Sequence, residues 1–478
     1  MNKSTIVGAL LIAAAFASAQ GLPPLVQQKC STCHPAPRPT SLPRHAWEGA
    51  HGLMVELMAE QKIPITAEES RDILSFYLAN SPEALPQIPD TWAESRLKWT
   101  KGGIGNPPRA RKPEINNVQI FDIDGDGAED DIICMDNLMG AVTWIHLIEG
   151  RWREKVIAFL PSPVRANAVD FDRDGDLDLV VSVMGDIYPN ELLTGEVHLL
   201  LNDGTGVFTP RVLLEGVARV ADCAPADMDG DGDIDFVVAM FGWRKTGGIG
   251  LLRQREDGEF DFEILAEING TMRVIINQAN GDDRPDFVAL VTQQHESIVQ
   301  FLNEGDQGFS NRLISQAQHP AFGSSSIHLA DLDQDGDEDI VYTNGDMMDE
   351  NPEPKPYHGA RWLENDGKGR YAIHPLVGMP GCYDAEPVDM DGDGDLDLVV
   401  SSLYFHWDLH DFPSLGWLEN LGGFRNFAPQ KIAYAPSHLV NIAVGDLDQD
   451  GKPDVVGGGM HVPGPSQRRG RVTLWRQE

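Results

Sequence analysis

The run Asp170-Phe171-Asp172-Arg173-Asp174-Gly175-Asp176-Leu177-Asp178-Leu179-Val180-Val181 packs five acids and a glycine into nine residues and then turns apolar. Copies of its Asp-x-Asp-x-Asp-Gly-x-x-Asp frame start at Asp122, Asp227, Asp331, Asp389 and Asp446, and an eroded copy starts at Gln278. Successive starts lie 48, 57, 51, 53, 58 and 57 residues apart. A period near 50 residues is the mark of a solenoid or a propeller.

The frame opens like an EF-hand loop, with oxygen side chains at alternate positions and a glycine for the sharp turn. Position 12 is never glutamate, however: it is Ile133, Val181, Val238, Tyr342, Val400 or Gly457. Strand-like residues follow the last acid, so the loop is expected between two β-strands. Each repeat continues to a Trp/Leu-Leu strand and an Asn-Gly type hairpin, as in Leu200-Leu201-Asn202-Asp203-Gly204 and Trp362-Leu363-Glu364-Asn365-Asp366-Gly367. Four short strands repeated seven times predict a mostly β fold, a seven-bladed β-propeller. The last repeat stops one strand early after Trp475, so a segment near Leu97–Thr100 is expected to close the ring.

Carboxylates about 4 Å apart repel by on the order of 4 kcal/mol per pair at an effective dielectric near 20, so converging acids call for a cation. All-oxygen donors favour Ca²⁺. The expected ligands are Asp122, Asp124, Asp126 and Asp130; Asp170, Asp172, Asp174 and Asp178; Asp227, Asp229, Asp231 and Asp235; Asp331, Asp333, Asp335 and Asp339; Asp389, Asp391, Asp393 and Asp397; and Asp446, Asp448, Asp450 and Asp454. That is about six ions. The Gln278–Asp286 copy keeps only Asp282 and Asp286 as ligand charges and has Asp283 in place of glycine, which predicts a weak or empty site.

The formal charge of −37 argues against nucleic acid and anionic membrane surfaces as partners. Lys3, the apolar run Ile6–Ala17 and Ala17-Ser18-Ala19 read as a cleaved leader over residues 1–19. No later segment is apolar enough to span a bilayer, so a periplasmic or secreted location is expected. Cys134, Cys223 and Cys382 read as small buried hydrophobes, with a disulfide or a reactive thiol as the alternative.

Cys30-Ser31-Thr32-Cys33-His34 is the C-x-x-C-H pattern of covalent c-type haem attachment. Two thiols on one helical turn reach the haem vinyl groups, and the adjoining imidazole then lies under the iron. The competing reading is a redox dithiol with an idle histidine. Apolar spacing predicts a helix over Ser41–Glu60, and Thr66-Ala67-Glu68-Glu69 is a capping box opening another with Ile73, Leu74, Tyr77 and Leu78 on its buried stripe. Helices around this motif over residues 20–89 resemble a small class I cytochrome c domain. That resemblance implies a methionine as sixth ligand. Met54, seven residues past Trp47, is favoured, with Met58 as the alternative. Arg38, Arg44 and Trp47 either meet haem propionates or lie on solvated surface. The propeller is expected over residues 90–478, with a Pro/Gly-rich linker and the ring-closing strand within about 90–109.

The Asp loops resemble the FG-GAP/VCBS repeats of the integrin α-subunit propeller over residues 92–478. The motifs that name those repeats survive as Phe241-Gly242 and Ala224-Pro225. The whole arrangement is similar to exported bacterial haem proteins that join a short cytochrome to FG-GAP repeats. It implies an electron-transfer protein whose propeller docks a redox partner. Two alternatives stand beside it: an oxidoreductase with substrate on the propeller and haem as acceptor, and an integrin-like adhesion or matrix-binding protein with a polysaccharide or protein ligand. If the Asp loops share one face, the long connections of the last three repeats share the other. There Tyr357, His358, His406, His410 and His461 form a candidate ligand face for a small molecule or metal.

Overall fold

The computed structural model describes residues 21–106, 113–348, 354–404, 412–435, 438–460 and 470–478. The expected leader, His406, His410 and His461 therefore lie outside the described residues.

Seven sheets are arranged as the blades of a propeller. The innermost strands are Ile115–Phe121, Pro163–Val169, Val220–Ala226, Thr271–Asn277, Ser324–Ala330, Cys382–Val388 and Leu439–Gly445, and each touches the next until the last meets the first. Every Asp loop leads from one of these strands to a second strand that begins with an aspartate and is buried along its whole length. Burial on both faces explains the unbroken apolar runs such as Leu179-Val180-Val181, because blades pack face to face. Apolar clusters fill all seven junctions between neighbouring blades.

The seventh blade is completed from the other end of the chain. Trp99–Ile104 pairs antiparallel with Val472–Gln477, Trp99 opposite Gln477 and Ile104 opposite Val472. The strand overlaps the expected segment at Trp99 and Thr100 and runs four residues further. The stretch leading to it is anchored too. Ile88 and Trp92 are buried, Trp92 within the cluster between blades five and six. A Cβ at Gly416 would lie 2.3 Å from the Trp92 ring, so only glycine leaves room there.

Every innermost strand carries a bulge after its first residue. Three of the displaced side chains, Met272, Tyr383 and Val440, meet from blades four, six and seven together with Leu403 and Met460. One residue further on, Asn117, Arg165, Asp222, Arg273, Ser326, Asp384 and Asn441 form a polar girdle around the axis. Arg165 and Arg273 both pair with Asp222, at 3.3 and 3.2 Å. Asp384 takes hydrogen bonds from His328 (2.9 Å) and Asn441 (2.7 Å).

Three α-helices precede the propeller: α1 (Pro24–Cys30), α2 (Trp47–Glu60) and α3 (Ala67–Asn80). The Thr66/Glu69 capping box is formed in both directions, at 3.1 and 2.7 Å. The helix expected from Ser41 instead begins at Trp47, after two short 3₁₀ turns. Pro43 is the cause: the residue before a proline is driven from the helical region, and Leu42 is extended at φ −133°, ψ 153°. The helices pack around Val26, Trp47, Ile73 and Tyr77, with the Trp47 and Tyr77 rings stacked 4.0 Å apart.

Candidate functional site: acidic loops and the helical module

In the loops, backbone shape follows from glycine. The sixth position has φ between 85° and 99° in Gly127, Gly175, Gly232, Gly336, Gly394 and Gly451, a region closed to most side chains. That turn lets the glycine N–H donate to the first aspartate, at 2.9 Å for Gly127 to Asp122 and 3.0 Å for Gly336 to Asp331. Ligand atoms of Asp122, Asp124 and Asp126 then lie within 4.8 Å of one another, as do those of Asp170, Asp172 and Asp174 and of Asp331, Asp333 and Asp335. In the third repeat the group is Asp227, Asp229 and the ninth-position Asp235. Oδ1 atoms of Asp122, Asp170, Asp333 and Asp448 are buried without a hydrogen-bond partner. Orphaned carboxylate oxygens turned toward like charges fit a hard cation.

The ninth-position acids behave differently. Asp178 accepts from Phe171 N (3.0 Å) and Asn202 N (2.7 Å), and Asp397 accepts from Met390 N (3.2 Å) and Asn420 N (2.7 Å). Both oxygens thus clasp backbone, tying the loop to the third strand. In the first repeat this place belongs to Asp131, one residue beyond Asp130. Asp131 receives Ile123 N and the Trp144 indole, at 2.9 and 2.8 Å. Asp130 instead accepts from Gln449 of the seventh loop at 2.9 Å. Burial, and after it the acids of its own loop, push Asp454 up to about 7 against the bond from Gln477 N.

Guanidinium groups reach the third-position acid in three loops. Arg253 stands 3.7 Å from Asp229, Arg476 stands 3.1 Å from Asp448, and Arg96 pairs with Asp391. None of these arginines is detectable as a loop partner from sequence, because each arrives from another strand or, for Arg96, from the other end of the chain. In the eroded fourth copy Arg284 pairs with Asp282, and Asp283 holds φ 67° where the others have glycine.

The helical module lies on the face opposite the Asp loops. Its contacts are all with connections leaving that opposite face. The Tyr357 hydroxyl donates to Ser41 O (3.3 Å) and Ala321 O (3.1 Å), Ala321 packs on the helical cluster, and Lys245 pairs with Glu60 at 3.3 Å. Cys30 closes α1 half-buried and Cys33 is exposed. His34 is buried, and its Nδ1 lies 2.9 Å from Pro35 O, leaving Nε2 as the nitrogen available to a ligand. Met54 and Met58 are half-buried on α2, whose one buried residue is Trp47. Arg44 pairs with Glu83 at 2.6 Å, and the Trp47 indole donates to Pro39 O and Leu42 O. Cys134, Cys223 and Cys382 are buried and unpaired. Of the candidate ligand face, Tyr357 sits at the module interface and His358 is buried beneath it, its Nδ1 3.3 Å from Gly381 N.

Beside this contact the sequence reading missed His319, Phe322 and Arg361. His319 is 7% exposed and its ring lies 4.9 Å from Tyr357. Phe322 stacks on Tyr357 at 5.6 Å, with the Arg361 guanidinium 4.8 Å above its ring. His319 and Phe322 share the connection before Ser324–Ala330 while Arg361 lies in the strand Gly359–Asn365, and together they form no local motif, so no sequence signal marks them.

Among the described residues, no helix is long and apolar enough to cross a membrane. No curated protein matches the chain. Among solved structures, the V. cholerae biofilm matrix protein Bap1 is similar at 19% identity and a TM-score of 0.34, over 63% of this chain. The chain spans 44% of that protein's length. A structure described as BBS1N in complex with ARL6DN is similar at 10% identity and a TM-score of 0.47, over 79% of this chain and 96% of that one. The family described as FG-GAP-like repeat matches residues 170–238 and 278–342, so these parts of the seven-bladed propeller carry FG-GAP-like repeats.

Proposed function

We propose that the chain is an exported electron carrier in which a calcium-braced propeller holds a small haem-bearing module and offers it to a redox partner. The observation that carries this reading is the Cys30-Ser31-Thr32-Cys33-His34 pattern at the end of α1, with His34 buried and one ring nitrogen already engaged by Pro35 O. Cys30 and Cys33 would hold the group through thioethers, and His34 Nε2 would ligate the iron. When bound, c-type haem supplies a one-electron Fe(III)/Fe(II) couple. The chain's own contribution is placement and exclusion of water. Leu53, Met54, Leu57 and Met58 give α2 a half-buried apolar face that needs a cover, and a porphyrin is one of suitable chemistry.

The six Asp loops with intact frames would each take Ca²⁺, their first, third and fifth acids as side-chain ligands. Six such ions would bring the formal charge from −37 to about −25, so the surface stays acidic and favours a basic partner. Covalent haem of this type is attached outside the cytoplasm, which agrees with the expected leader and with a periplasmic or secreted location.

Stopped-flow oxidation of the reduced, matured protein tests the carrier role. Cationic oxidants should react at least tenfold faster than anionic ones of equal driving force, with the difference fading as salt rises. A protein that takes up no electron, or one indifferent to reagent charge at low salt, contradicts it.

A further inference from the structure

Resting on the haem reading above, we propose that a second protein ligand to the iron comes from the propeller: His319, rather than a methionine of α2, would join His34 in holding it. His319 lies in the connection between blades four and five, on the face that receives the module. Its Nδ1 is buried with no hydrogen-bond partner. A lone buried ring nitrogen is destabilising unless something binds it.

What adjoins this side chain suits a porphyrin. His319 borders a cleft of about 320 Å³ that it shares with Phe322, Tyr342, Tyr357 and Arg361. The aromatic rings offer flat apolar walls, and the guanidinium offers a partner for a propionate. The cleft adjoins the module, because Tyr357, whose ring touches His319, donates to Ser41 O. Ala321, two residues past His319, packs on the helical cluster that also includes Cys30, and His295 lies in another connection on the same face. His295 is the weaker donor of the two: its Nε2 is already 3.2 Å from Asn269 Oδ1 and 3.1 Å from the Gln294 amide. Met54 and Met58, by contrast, are not among the side chains packed on the apolar cluster that adjoins Cys30. Such a ligand would lock the module to the propeller and make the carrier's potential a property of both parts. It would also explain why a rigid propeller is attached to so small a module.

The experiment uses the full-length matured holoprotein and its ferric absorption and electron paramagnetic resonance spectra. Wild type should be low-spin with two imidazole ligands. His319→Ala should turn high-spin and regain the low-spin spectrum when imidazole is added. His319→Met should stay low-spin with a raised midpoint potential, because Met/His ligation favours the ferrous state. Met54→Ala and Met58→Ala should leave the spectrum unchanged. A low-spin spectrum that survives His319→Ala, or one lost in either methionine variant, overturns the assignment while leaving the haem in place. Colourless protein with both cysteines intact overturns the haem reading and this one with it. If His319→Ala fails to fold, the His319→Met potential and the wild-type ligand signature still decide.

Discussion

Within each loop, aspartates of one spelling do two jobs. In the first, second and fifth loops the first, third and fifth acids converge on a point, whereas the ninth-position Asp178 and Asp397 turn inward and clasp backbone. Asp178→Ala removes two charge-assisted bonds to amides at once and should cost about 3 kcal/mol in denaturant unfolding, with or without calcium. Asp172→Ala should leave calcium-free stability within about 0.5 kcal/mol and lower only the calcium-dependent part. The spacing of the motif exposed all these acids but not this division, since burial is decided by strands that lie far away in sequence. The same limit explains the first repeat, where an added residue moves the inward role from Asp130 to Asp131. A second titratable residue, Glu296, was invisible beforehand. It is 4% exposed and accepts from the backbone N–H (2.9 Å) and hydroxyl of Ser324. Burial pushes its carboxyl up to about 8, with Ser324 pulling the other way. Between the ordinary glutamate value and about 8 the folded chain holds a proton that the unfolded chain has lost, so this group's contribution to stability falls as pH rises. Glu296→Gln should therefore gain on wild type by about 3 kcal/mol between pH 5 and pH 8, measured as the difference in unfolding free energy.

At the scale of elements, the loops form a ring of unequal sites. Arg253, Arg96 and Arg476 bring positive charge to the third, sixth and seventh, while the first, second and fifth have no arginine paired with their third-position acid among the described residues. Since charge count tunes calcium affinity, calorimetric titration should resolve a tighter and a weaker class, and Arg476→Ala should strengthen one weak site severalfold. A single uniform class, unmoved by that substitution, would show the arginines to be irrelevant. Loops also brace one another through the fourth position: Arg173 donates to Gly232 O, Gln334 to Gly394 O at 2.8 Å and Gln449 to Asp130 at 2.9 Å. Strands and hairpins were legible in the sequence because period, glycine and Asn-Gly turns act locally. Helix α2 was legible in its body and misjudged at its start, where Pro43 outweighs the apolar spacing.

For the whole molecule, the two ends of the chain meet in the seventh blade, and the module that precedes that blade folds over blades three to five. The polar girdle at the axis is a second whole-ring feature. Its members come one per blade, about 50 residues apart, so no short window of sequence contains two of them. His319 was likewise hidden, since only the folded ring brings its connection against the module. What stood plainly in the sequence was the Cys30-Ser31-Thr32-Cys33-His34 pattern, and the proposed haem attachment depends on it. The most direct test is the intact mass and absorption spectrum of denatured full-length protein, produced with c-type haem maturation. The account predicts one covalent haem per chain, lost when Cys30 and Cys33 are both replaced by serine. A colourless polypeptide whose mass shows no adduct and whose Cys30 and Cys33 react as free thiols would contradict it.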